Sequence, residues 1–152
     1  MKKLLKRIQL FPFILLTVIS CSDNENNESE AAFLDKIDNV VWTRGKNFKT
    51  FKSNPFKLFI VEDGICYEFS EGDTMVNSNK FSYSIKKNNV DTLQLGYKVV
   101  GERINHCGTF TYYMDSNENL IRTYKECATI YNNTQVLDYY KSELTLEEVC
   151  SN

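Results

Sequence analysis

Residues 107–127, CGTFTYYMDSNENLIRTYKEC, decide the fold. Phe110, Tyr112 and Met114 alternate with other residues, Asp115-Ser116-Asn117-Glu118-Asn119 supplies a turn, and Leu120, Arg122 and Tyr124 alternate on the way back. Two runs of period two around a polar turn predict an antiparallel hairpin with one face turned inward. Cys107 and Cys127 are equally distant from Asn117, so this register sets them opposite each other. The even-numbered residues then share the inward face, including Arg122 among aromatic and apolar neighbours. Thr109, Thr111, Thr123 and Lys125 fall on a face that reads as solvated.

Outward from this hairpin the same alternation recurs. Val40 and Trp42 open a first strand; Phe56, Leu58 and Ile60 form a second, which ends at Glu62-Asp63-Gly64, a hairpin turn signal. Ile65, Tyr67 and Phe69 continue to Glu71-Gly72-Asp73, read as another turn. Phe81, Tyr83 and Ile85 precede Lys87-Asn88-Asn89, and Leu93, Leu95, Tyr97 and Val99 return. A last strand covers either Val136, Asp138 and Tyr140 or the opposite face, Leu137 and Tyr139. The prediction is an all-β domain of about eight strands in an up-and-down antiparallel meander, closed into a barrel because closure removes both exposed edges. The high aromatic content, 13%, suits strands. Helix signals occur only at the ends. Ser29–Leu34 starts a short one, and Thr145-Leu146-Glu147-Glu148 fits a capping box.

The first 20 residues have a basic start (Lys2, Lys3, Lys6, Arg7), an apolar stretch from Ile8 to Ile19 and a small residue, Ser20, which is secretory signal architecture. A spanning helix needs roughly 20 apolar residues, and this stretch is shorter and contains Gln9 and Pro12. Thr17-Val18-Ile19-Ser20-Cys21 resembles the lipobox of bacterial lipoproteins. That resemblance implies cleavage before Cys21, diacylglycerol on its sulfur and an acylated (palmitate-type) amino terminus. Several buried acyl chains, at about 0.8 kcal/mol per CH₂, hold a protein at a membrane almost permanently. Residues 22–30, SDNENNESE, carry four acids and no apolar residue to bury. Residues 21–32 therefore read as a lipidated, flexible tether. An acid-rich stretch after the lipidated cysteine also resembles the surface-export signal of Bacteroidota lipoproteins. Together these imply an outer-membrane protein, anchored at the cell surface or the periplasmic face.

Residues 33–152 form the remaining domain. A short N-terminal helix, Trp42 on strand one and the meander make it similar to the lipocalin-like small lipoproteins, with Val40 where the lipocalin signature places Gly. In that family the Trp packs under an Arg from a late strand, and Arg122 is the corresponding candidate.

With Cys21 lipidated, Cys66, Cys107, Cys127 and Cys150 form an even set, read in an exported chain as two disulfides. The hairpin register favours Cys107–Cys127, leaving Cys66–Cys150 to tie the C-terminal tail to the barrel. No Cys-x-x-Cys occurs, and His106 and Cys107 point to opposite faces of a strand, so neither a metal site nor thiol chemistry is expected.

Removing the four bases of residues 1–20 leaves 14 basic against 20 acidic residues, a net charge of about −6, without a Lys/Arg cluster. This argues against nucleic acid as a partner. The chain contains no nucleophile elbow, P-loop or dinucleotide-binding glycines, so no cofactor is called and the expected role is binding, not catalysis. Glu68, Asp91, Glu126 and Asp138 stand singly, where solvation explains them. Two roles remain for Arg122: a structural cation–π contact with Tyr112, Tyr124 or Trp42, or a cationic anchor for a small amphipathic or anionic ligand. The second makes Tyr67, Phe69, Tyr83, Tyr97, Tyr112 and Tyr124 the cavity wall. The alternative is a protein-binding module, such as an inhibitor or immunity lipoprotein or an accessory subunit of an envelope complex.

Overall fold

A computed structural model of the chain describes residues 30–102, 104–127 and 134–151. The expected leader over 1–20, the expected lipidation site Cys21 and most of the expected tether lie outside the described residues. Ten strands follow one another: β1 (Val41–Arg44), β2 (Asn47–Lys52), β3 (Lys57–Glu62), β4 (Ile65–Ser70), β5 (Gly72–Val76), β6 (Asn79–Asn88), β7 (Leu93–Val100), β8 (Asn105–Met114), β9 (Leu120–Glu126) and β10 (Gln135–Lys141). Helix α1 (Phe33–Lys36) precedes them and α2 (Leu146–Cys150) ends the chain. Each strand pairs antiparallel with the next except β4 and β5, and β10 returns to pair with β1. The result is a nearly closed antiparallel barrel. Its break lies between β4 and β5, not between the first and last strands. Side chains bridge that break on the inside, with Phe69 of β4 packed 5.4 Å from Phe81 and 5.1 Å from Tyr83 of β6.

Ten strands replace the expected eight, and the additions are β2 and β5. In β2, NFKTFK, Phe48 and Thr50 face outward yet are half-buried and buried, while Lys49 faces in. Burial on both faces, with a lysine inside, hides the period of two. The chain reverses at Glu71-Gly72 as expected, but Gly72, with φ of 98°, already begins β5, and a second reversal follows at Asn77 and Ser78, with φ of 47° and 64°. Two left-handed residues form the kind of hairpin turn usually marked by glycine, and this one has none.

The central hairpin has the predicted register: Gly108 faces Glu126, Phe110 faces Tyr124 and Tyr112 faces Arg122. Both predicted disulfides are present, Cys66–Cys150 and Cys107–Cys127, with Cα atoms 5.2 and 5.4 Å apart. In β10 the inward pair is Leu137 and Tyr139; Tyr139 is buried, and Val136 and Tyr140 are exposed.

One end of the barrel is plugged. Phe33, Leu34 and Ile37 join Phe51, Leu93 and Leu120 in a fully buried cluster. The backbone N–H of Phe33 donates to the carbonyl of Asn89, and that of Leu34 to Oδ1 of Asn88, so α1 is held against the β6–β7 turn. At the C-terminus the capping box forms between Thr145 and Glu148. Val149 of α2 packs outside the barrel on Val41 and Val61, where Cys66–Cys150 holds it.

Candidate binding cavity

Away from the plug the interior is not filled. A cavity of about 340 Å³ runs from Tyr112 and Leu58 towards Glu62, Asn77 and Asn79 at the opposite end. Its volume is at the small end of the roughly 300–1,000 Å³ usual for ligand sites. The wall is aromatic because inward positions on β4, β6, β7 and β8 carry rings, and Tyr83 faces Tyr97 directly across β6 and β7. Successive rings touch, with Tyr83–Tyr97 at 5.4 Å and Tyr97–Phe110 at 5.2 Å. Of the seven predicted wall residues, Arg122, Tyr112, Tyr67, Phe69, Tyr83 and Tyr97 line the cavity. Tyr124 shares the inward face but stands behind Phe110, ring centroids 5.0 Å apart, where it covers Gly108 and its hydroxyl donates to the carbonyl of Cys107.

Arg122 projects into the cavity from β9. Its guanidinium lies 5.1 Å from the Phe110 ring and 5.9 Å from the Tyr139 ring, so its cation–π partners are not the predicted tyrosines or Trp42. Its Nε is buried without a hydrogen-bond partner, as is Nε1 of Trp42 on the same inner surface. A buried polar atom without a partner is uncommon in native proteins and costs about 1–3 kcal/mol.

Lys49 is a second inward cation, and sequence reasoning missed it. The register Trp42–Lys49–Ile60 across β1, β2 and β3 turns it into the barrel, where it is only 5% exposed. Its ammonium lies 5.8 Å from the Tyr139 ring. Burial, with the positive charge of Arg122 beside it, pulls its pKa down to about 7, and Glu62 at the mouth offsets this only in part. Among the described residues, neither cation has a carboxylate within ion-pair distance; the ion pairs present are elsewhere, such as Lys57–Glu68 and Lys80–Asp73. Burial raises the phenols of Tyr83 and Tyr112, so both remain protonated donors.

Among the described residues, the remaining titratable groups form no cluster that could hold a metal ion. His106 is exposed and bonded to Glu126 at 3.3 Å. Comparison with protein-family models, curated proteins and solved structures finds no match. The cavity is therefore interpreted from its own chemistry.

Proposed function

We propose that this chain is a lipid-anchored binding protein of a bacterial envelope, of the Bacteroidota lipoprotein type, whose lipocalin-like barrel holds a small amphipathic ligand. The observation that carries this reading is an aromatic cavity of about 340 Å³ with Arg122 inside it, its Nε buried without a hydrogen-bond partner. A barrel built only for stability would fill that space with side chains. Rings supply apolar area for the ligand's body, and the guanidinium supplies direction for its head.

Trp42 is the only tryptophan and is buried on the inner surface, so its fluorescence reports occupancy. Titration with ten-carbon amphiphiles should give saturable changes that Arg122→Met weakens at least tenfold while the melting profile is kept. Loss of folding in proportion to loss of binding would return Arg122 to a purely structural role. The anchor is tested separately: palmitate labelling of the expressed chain should vanish in Cys21→Ser, and protease treatment of intact cells distinguishes the surface from the periplasmic face.

A protein partner is the second reading. Ile65, Met75 and Val100 are 53%, 65% and 40% exposed, and all belong to the open end of the barrel. If no amphiphile binds, a partner covering this rim is the better account.

A further inference from the structure

Lys49 and Arg122 enter the cavity from different strands, and each lies over the ring of Tyr139, at 5.8 and 5.9 Å, with the charge of Arg122 acting on Lys49. Two like charges in a dry space are costly unless a counter-charge joins them. An arginine side chain keeps its proton in proteins, whereas a buried lysine can release its own. We propose that Lys49 and Arg122 form a proton-linked clamp for the carboxylate of a monocarboxylic acid, whose binding draws one proton from solution onto Lys49. This inference rests on the cavity reading above and names the head group that the cavity takes.

The geometry favours a carboxylate on three counts. A guanidinium offers a planar fork that a two-oxygen head fills, and the ammonium beside it adds a third donor. The buried Nε of Arg122 lacks a partner and can donate to such a head. Glu62 at the mouth repels a more highly charged anion. Size sets the rest: 340 Å³ is about eleven waters' worth of space at roughly 30 Å³ each, so a ligand of about a dozen non-hydrogen atoms fits. An apolar body of around ten carbons would lie along the rings of Tyr83, Tyr97 and Phe110.

The empty site is poised for this coupling, because Lys49 there titrates at about 7 and is half charged near neutrality. The other titratable groups lining the cavity with it are Arg122 from β9, Glu62 from β3, Tyr67 from β4, Tyr83 from β6, Tyr97 from β7 and Tyr112 from β8, with Tyr139 of β10 under its ammonium and the Arg44 charge acting on Tyr139. Carboxylates, phenols and guanidinium ordinarily titrate outside pH 6–8. The one histidine, His106, is 59% exposed and bonded to Glu126 away from this cavity, and His106→Gln controls for it.

The test is calorimetric titration of the mature chain carrying Cys21→Ser, with decanoate and with uncharged decanol, at pH 6 and pH 8 in buffers of different ionisation heat. Decanoate should bind about tenfold more tightly at pH 6, because at pH 8 only about one Lys49 in eleven is charged beforehand. Close to one proton should be taken up per ligand at pH 8 and almost none at pH 6. Lys49→Met should abolish the proton uptake and flatten the pH dependence, and Lys49→Arg should keep binding tight at both values. Decanol should bind with no pH dependence. Decanoate bound equally at both pH values without proton uptake, or decanol bound as tightly as decanoate, overturns the clamp and leaves the cavity reading standing. Binding of neither overturns both. Selective ¹⁵N NMR of Lys49 in the empty protein is independent of any ligand, and titration above pH 9 also overturns the clamp.

Discussion

Replacing Lys49 with methionine should make the empty protein more stable, by an amount that depends on pH. The unfolded chain holds this amine at its ordinary value of 10.5, whereas the barrel lowers it to about 7. That difference is worth roughly 5 kcal/mol at about 1.4 kcal/mol per tenfold change. The sign follows from proton counting. Below pH 7 the amine is charged in both states and the full penalty falls on the folded one. Between pH 7 and 10.5 only the unfolded state keeps the proton, so stability rises with pH until the penalty is gone. Methionine has a similar length and no charge to bury, and replacing buried ionic groups with apolar ones of like volume is often stabilising. The expected gain is therefore roughly 5 kcal/mol at pH 6, falling to roughly 2 kcal/mol at pH 9. Even half of the pH 6 figure raises Tm by about 10 °C in a domain of this size. Urea and thermal melts of wild type and Lys49→Met, with disulfides intact and no amphiphile present, measure both values. A variant that is less stable at pH 6, or a gain that does not shrink by pH 9, would refute the reasoning, because either result means that Lys49 is not a buried, unpaired amine.

Other expectations follow from neighbouring features. Arg122→Met should move the Lys49 amine upwards from about 7, since the Arg122 charge is the second cause of its depression after burial; NMR titration reads this directly. Cys66→Ser with Cys150→Ser opens a loop of 84 residues and should cost roughly 4–5 kcal/mol, against roughly 3 kcal/mol for Cys107→Ser with Cys127→Ser, whose separation is 20. Equilibrium denaturation ranks the two. Gly108→Ala should displace the Tyr124 ring, because a Cβ there meets that ring and lies 2.7 Å from the Lys125 carbonyl oxygen. A loss of about 1–3 kcal/mol and a changed Tyr124 environment by NMR are the expected results. Thr145→Ala removes the side-chain half of the α2 cap, leaving the backbone N–H of residue 145 to donate to Glu148, and should cost about 1 kcal/mol.

Much of the architecture was legible because it is local. The hairpin of residues 107–127 has its strands, turn and cysteines within one short stretch, and alternation alone placed Phe110, Tyr112 and Arg122 on one face. The same arithmetic paired the four cysteines correctly. β2 and β5 escaped for local reasons too. One carries a charge where the pattern needs an apolar residue, and the other is short and reverses at Asn77 and Ser78, with no glycine to mark the turn.

By itself, the amino-acid sequence determined an all-β antiparallel meander, its inward aromatic faces and its disulfide framework, since alternation and turn chemistry act between near neighbours. Only the tertiary structure decided that β1 closes on β10, that the break falls between β4 and β5, and that an open cavity remains beyond the α1 plug. It alone placed Lys49 inside beside Arg122, residues separated by seven strand positions in chain order and joined only by barrel closure. The reason is physical. A lysine in NFKTFK resembles any surface lysine until the register on both sides of its strand is set, and that register depends on partners far along the chain.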